Sequence, residues 1–167
     1  MTSVNLSELS SLKAADVEGL LDDAFGVDRH QRTAYLLRHG VAAIDHLSFG
    51  IMDNGNLVGS IQCWPVKVAS TPLILVGPVA VSHVRQNQGI GHRLMEAALG
   101  AIRPDDPPMV MIGDPEYYGR FGFIAANTHG WTLPGPWERH RLLARNPEMI
   151  ALPRTGMTAP RMADTGL

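Results

Sequence analysis

Between Val76 and Met95 the chain reads VGPVAVSHVRQNQGIGHRLM, an apolar strand that passes through a short polar turn straight into an amphipathic helix. That order constrains the fold more than any other feature of the chain. A strand that delivers the backbone to a helix start leaves the N–H groups of the turn and first helical turn exposed, and with the helix's positive end they suit a phosphate or pyrophosphate. Gly89 and Gly91 let a ligand approach the backbone without meeting Cβ atoms. Upstream, Gly77 weakens the strand and Pro78 cannot donate to a ladder, so the pair marks a bulge in mid-strand. Two nucleotide motifs fail at this turn. A P-loop needs Lys-Ser/Thr after its second glycine, where this chain has His92-Arg93, and a dinucleotide fingerprint needs a third glycine where Leu94 stands.

Around this segment the pattern is mixed. Val17, Leu20, Leu21, Ala24 and Phe25 form one helical stripe over Ala14 to Phe25, with Gly26 as its stop. A shorter helix is expected over Arg32 to His39, with Tyr35 and Leu36 inward. Asp53-Asn54-Gly55-Asn56 joins two strands as a hairpin, because Asn-Gly accepts the positive φ angles of a tight turn. A strand from Leu73 to Val81 follows, then a helix from Gly89 to Arg103 that Pro104-Asp105-Asp106-Pro107-Pro108 ends. Met109 to Ile112 suits a buried strand, Pro115 to Phe121 a short helix, and Arg141 to Ala144 a further strand. Helices, an antiparallel meander and a strand-helix-strand crossover together predict an α/β domain with a mixed (α+β) sheet.

At 167 residues one domain is expected, over 1–152, with residues 153–167 as an unpatterned tail. Fourteen Lys plus Arg against sixteen Asp plus Glu give a net charge of -2, which argues against a nucleic-acid partner while leaving room for a local basic pocket at Arg85 and Arg93. The single cysteine, Cys63, has no partner for an intramolecular disulfide, no evident histidine to activate it, and no zinc-ligand cluster around it, so no metal is expected. The amino terminus carries neither a signal-peptide pattern nor a run of about 18 apolar residues, and a cytoplasmic protein with no membrane association is expected.

Gln86-Asn87-Gln88-Gly89-Ile90-Gly91 resembles the QxxGxG or RxxGxG signature with which the GNAT N-acetyltransferase superfamily holds the pyrophosphate of acetyl-CoA. About thirty residues on, GDPEYYGRFGF from Gly113 to Phe123 resembles the superfamily's tyrosine-containing motif. The resemblance is strong over residues 72–124. It departs at His83, where many members carry proline, and at Asn87, where many carry glycine.

What the resemblance implies is a GNAT-like fold, with a central, mostly antiparallel sheet, a splayed strand pair and flanking helices. Acetyl-CoA would be the cosubstrate, with its pantetheine arm pairing with the backbone of Val79, Ala80 and Val81 and its phosphates meeting Gln86, Asn87, Gln88, Gly89, Ile90, Gly91, His92 and Arg93. Tyr118 would protonate the departing thiolate, since a phenol of pKa near ~10 is protonated at neutral pH. For the base, Asp114 leads, with Glu116, His83 or an ordered water as alternatives.

Each residue also has a plainer reading. The glycines could form an ordinary strand-helix connection, Tyr118 could be a packing aromatic, Arg85 and Arg93 could be surface charges, and Trp131 and Trp137 could anchor a loop instead of lining an acceptor pocket. The function expected is N-acetyl transfer to a primary amine of a small molecule, peptide or protein. A non-catalytic acyl-CoA-binding regulatory domain is the alternative, and an acyl carrier or tRNA-linked amine a further acceptor class. The acceptor pocket is expected from residues 26–46 and 125–140, and a homodimer through exposed strand edges and the tail.

Overall fold

The computed structural model describes residues 4–162. Its strands are β1 (Val4–Glu8), β2 (Phe49–Asp53), β3 (Asn56–Val68), β4 (Thr71–Val81), β5 (Met109–Ile112), β6 (Trp131–Thr132), β7 (Leu142–Arg145) and β8 (Gly156–Pro160). Its α-helices are α1 (Ala14–Phe25), α2 (Thr33–Leu36), α3 (Ile90–Gly100) and α4 (Pro115–Tyr118). The chain forms two compact units, each assembled from separate stretches of sequence. One takes in the described part of Met1–His30 with Ala43–Cys63 and Pro78–Pro104; the other takes in Gln31–Ala42, Trp64–Gly77 and the described part of Asp105–Leu167.

In the first unit the strand order is β1-β2-β3-β4, with β1/β2 and β2/β3 antiparallel. The β2-β3 hairpin closes at Asn54 (φ 51°) and Gly55 (φ 83°), the left-handed pair that Asn-Gly supplies at low cost. Helix α1 buries Val17, Leu20 and Leu21, which gather with Leu9 and Ala80 into one core cluster. After α1 the chain turns back at Arg29, which is 2% exposed and pairs with Glu18 and, at 3.1 Å, with Asp22 on that helix. A buried guanidinium is tolerable only with such partners.

In the second unit the order is β3-β4-β5-β7, with β8 antiparallel to β3 and β6 parallel to β8. Strands β4 and β5 run parallel, and β5 and β7 antiparallel. The β4/β5 ladder registers only Ile74 with Met109 and Leu75 with Val110. Two residues beyond it, Gly77 takes φ 134°, a conformation that favours glycine, inside a strand that runs continuously from Thr71 to Val81. The core here gathers Leu37, Val66, Val68, Leu73, Leu75, Val110, Trp131 and Leu142.

Several expectations need correction. The helix expected over Arg32 to His39 is a single turn, Thr33–Leu36, and it turns inward through Thr33 and Leu37, while Leu36 is 43% exposed. Thr33 decides the facing, because its hydroxyl donates to the Pro136 carbonyl. Strand β1 was not anticipated: it is partly exposed, and it is held by backbone pairing with β2, which periodicity does not register. Within the stretch read as a tail, Gly156–Pro160 pairs as β8 with Val66, Lys67 and Val68. Arg161 then fastens it, its side chain donating to the carbonyls of Val66 (3.0 Å) and Leu73 (3.3 Å). Burial lowers the pKa of that guanidinium. The last part of the tail, residues 163–167, lies outside the described residues.

Candidate active site

Strand β4 leads through Ser82 and a 3-10 turn, His83–Arg85, into the Gln86–Gly91 segment and α3. Asn87 (φ 63°) and Gly89 (φ 79°) are both left-handed, with Gln88 between them, so the backbone doubles back sharply before the helix starts. Asparagine visits that region more readily than other side chains, which is why the departure from glycine at 87 leaves the turn intact. Gln86 to Gly89 are exposed, whereas Ile90 is buried as the first core residue of α3. Gly89 is the N-cap and no side chain caps α3, so its first N–H groups face outward without a protein acceptor. A Cβ at Gly89 would meet nothing within 4 Å, and one at Gly91 only the Val81 side chain at 3.8 Å. The space beside the turn is open, as an approaching ligand requires.

The cations around this turn differ in role. Arg85 donates through Nη1 to Asp53 and through Nε to Gln88 Oε1 at 2.9 Å. His92 Nε2 and Glu96 Oε1 lie 2.6 Å apart one helical turn on, so that imidazole is engaged with its own helix. Among the described residues Arg93 makes no ion pair and is exposed. The His83 backbone N–H is taken by Asp23 Oδ2 at 2.8 Å, and the side chain is exposed.

The tyrosine segment belongs to the second unit. The Asp114 carboxylate caps α4 by accepting the Glu116 N–H at 3.0 Å, and Pro115 occupies the first helical position, where its missing donor costs nothing. Tyr118 closes this one-turn helix and packs edge-on against Tyr117, with ring centroids 4.9 Å apart. Burial raises its pKa above the ordinary 10.0; Tyr117 and Asp114 add to that and Arg141 opposes it. The phenol is therefore a held proton at neutral pH. Gly122 (φ 88°) ends the motif, and Phe121 and Phe123 are buried core.

The acetyltransferase (GNAT) domain model matches residues 7–126, a span that holds both the turn into α3 and the Tyr118 segment. The chain belongs to that family. The uncharacterized N-acetyltransferase YhbS of Escherichia coli is 29% identical over 124 residues, which is 71% of this chain and 72% of the relative. Crystalline YhbS from Escherichia coli in complex with CoA superposes with a TM-score of 0.71 at 20% identity, over 96% of this chain and 89% of that one. A GNAT family acetyltransferase from Brucella melitensis in complex with acetyl-CoA gives 0.62 at 22% identity, over 96% of each chain. At these identities the likeness is one of fold.

In this GNAT acetyltransferase two further residues set the local geometry, and residue patterns alone did not single them out. Trp64 on β3 donates its indole N–H to the Gly77 carbonyl at 2.8 Å, which satisfies the carbonyl of the positive-φ residue in β4. Its ring also meets the Arg38 guanidinium, 4.7 Å away, which lies 3.6 Å from the Tyr35 ring. Gly113 leaves room for Tyr118, since a Cβ there would lie 2.7 Å from the ring. Trp131 is a loop anchor: it is 1% exposed and donates to the Pro153 carbonyl at 2.8 Å. Trp137 packs on the same core with its indole nitrogen buried and unbonded among the described residues. Of the segments expected to form the acceptor pocket, Ala126, Asn127, His129 and Gly130 line an open groove of about 580 Å³ together with residues drawn from the 146–154 stretch, and none of 26–46 lines it.

Among the described residues no group of three or more His, Cys, Asp and Glu side chains could hold a metal, and no helix is long and apolar enough to cross a membrane. Cys63 is a buried thiol.

Proposed function

We propose that this acetyltransferase binds acetyl-CoA and passes the acetyl group directly to a primary amine of a small molecule, peptide or protein. The observation that carries the reading is the uncapped start of α3 behind Asn87 and Gly89, open beside Gly89 where a side chain would stand. Backbone N–H groups of Gln88, Gly89, Ile90, Gly91 and His92 take the pyrophosphate, with Gln86 and Asn87 shaping the turn and Arg93 adding charge. The β4 backbone at Val79, Ala80 and Val81, beyond the short ladder with β5, takes the pantetheine amides.

Chemistry then needs a neutral amine, an oxyanion donor and a proton for sulfur. The amine nitrogen attacks the thioester carbonyl carbon, and a backbone N–H of β4 holds the tetrahedral oxyanion. As the intermediate collapses, the C–S bond breaks and the thiolate takes the Tyr118 proton, which the raised pKa keeps in place. The nitrogen loses its extra proton to Asp114, whose exposed carboxylate spends one oxygen on its cap and retains the other.

The cap also supports the alternative, a domain that binds acyl-CoA without turning it over, because a carboxylate committed to α4 is a poor base. Release of free CoA across polyamines, aminoglycosides, amino acids and lysine peptides separates the two. The enzyme gives amine-dependent release with at least one class, and a binding domain gives none with any.

A further inference from the structure

Asp53 ends β2, its side chain is only 7% exposed, and its Oδ1 is buried with no hydrogen-bond partner among the described residues. A carboxylate so placed depends on its cation, and that cation is Arg85. Arg85 does not stop there. Its Nε reaches Gln88 Oε1, the side chain lying between the two left-handed residues Asn87 and Gly89. A non-glycine residue held left-handed is disfavoured by its Cβ and persists only where its surroundings over-determine it.

We propose that Arg85 is a positioning residue for the phosphate-binding turn: it spends its charge on buried Asp53 through Nη1 and uses its Nε–H to hold Gln88, and so presets the Gln86–Gly91 backbone for the pyrophosphate of acetyl-CoA. The β2-β3 hairpin and the phosphate turn are then one braced piece, with Asp53 as the fixed end. This inference rests on the acetyl-CoA reading above, and it differs from a direct phosphate contact by Arg85, in which Asp53 would compete with the ligand for the same guanidinium. Arginine suits the task because its planar fork serves two acceptors at once, which a lysine ammonium at the same site does less well.

The test is a double-mutant cycle on acetyl-CoA affinity, by calorimetry on the full chain, with thermal unfolding of every variant in parallel. Asp53→Asn and Arg85→Met should each weaken acetyl-CoA binding about five- to fiftyfold while kcat at saturating acetyl-CoA stays within about twofold, and Gln88→Ala should weaken binding by a similar factor. Asp53→Asn/Arg85→Met should bind no more weakly than Arg85→Met alone, since the brace is already lost. That double variant also leaves no unpaired buried charge, so it reports on the brace if Arg85→Met alone is too unstable to fold. Arg85→Lys should fall between wild type and Arg85→Met. With 3′-dephospho-CoA the ratio of variant to wild-type affinity should be unchanged. Wild type that binds acetyl-CoA while Asp53→Asn binds it equally or more tightly overturns the brace and makes Arg85 a ligand. Folded wild type that binds no acetyl-CoA overturns the cosubstrate reading, and the brace with it.

Discussion

A Cβ built on Gly113 would lie 2.7 Å from Cε2 of Tyr118 and 2.8 Å from Cδ2, so the tyrosine ring occupies the space that any side chain at 113 would need. Gly113 follows β5 directly, and its N–H is fixed by the Arg141 carbonyl at 2.9 Å, so the backbone cannot easily move away. Gly113→Ala must therefore displace the ring. Overpacking of this kind costs about 1–3 kcal/mol. The expected result is a lower melting temperature and a lower kcat, with acetyl-CoA affinity retained because the Gln86–Gly91 turn lies in a different unit. Calorimetric binding beside steady-state kinetics checks both halves.

Removing only the phenolic oxygen isolates the proton donor. Tyr118→Phe keeps the ring and its packing against Tyr117 and Phe121. General acids contribute roughly 10²- to 10⁴-fold, so kcat should fall by about that factor while the KM for acetyl-CoA stays within about twofold. An unchanged kcat removes Tyr118 as the acid.

The pH profile follows from the same residue. Burial, the largest of the causes, raises the Tyr118 pKa above 10.0, so the group that must be protonated stays so past the ordinary tyrosine range. The sign is that raising the pH through the shifted value removes the proton and ends catalysis; below it the acid is fully present. In wild type, kcat should show no alkaline decline caused by Tyr118 until beyond pH 10.0. A decline centred well below that, absent from Tyr118→Phe, contradicts the assignment.

Gly89 tests the cosubstrate site. Its φ of 79° disfavours a β-branched side chain by about 1–2 kcal/mol, yet nothing in the protein lies within 4 Å of the new Cβ. Gly89→Val should therefore fold, with a modest loss of thermal stability, and should lose acetyl-CoA binding because the side chain fills the ligand's path. Binding within threefold or so of wild type would mean that the phosphates lie elsewhere.

The legible parts of the fold were those where backbone chemistry is written into residue type. Asn54-Gly55 specified the hairpin, Gly77 the positive φ within β4, and Gln86–Gly91 the turn into α3, because each needs a φ angle that few residues supply. Strands β1 and β8 were not legible, since their ladders are backbone pairings with β2 and β3, β1 is mostly exposed and the buried position of β8 is a polar residue, Thr158. The α2 turn was misread because Thr33, a polar residue, faces inward to bond Pro136. At the candidate site the sequence placed the turn and the tyrosine motif. It could not reveal that Trp64 bonds Gly77, or that Arg85 is committed to Asp53, because both depend on residues more than ten positions apart meeting in space. A charge count assigns Arg85 to the ligand, whereas the geometry assigns it to the protein.

The most direct measurement is the release of free CoA thiol from acetyl-CoA by wild type and by Tyr118→Phe, each shown by calorimetry to bind acetyl-CoA, across a panel of primary amines and without amine. The expected result is release by wild type that depends on the amine and saturates, an acetylated amine formed in equal amount, and about 10²-fold or greater slowing in Tyr118→Phe. Acetyl-CoA binding with no release in the presence of any amine, or release that is the same with and without amine, would contradict direct acetyl transfer by this chain.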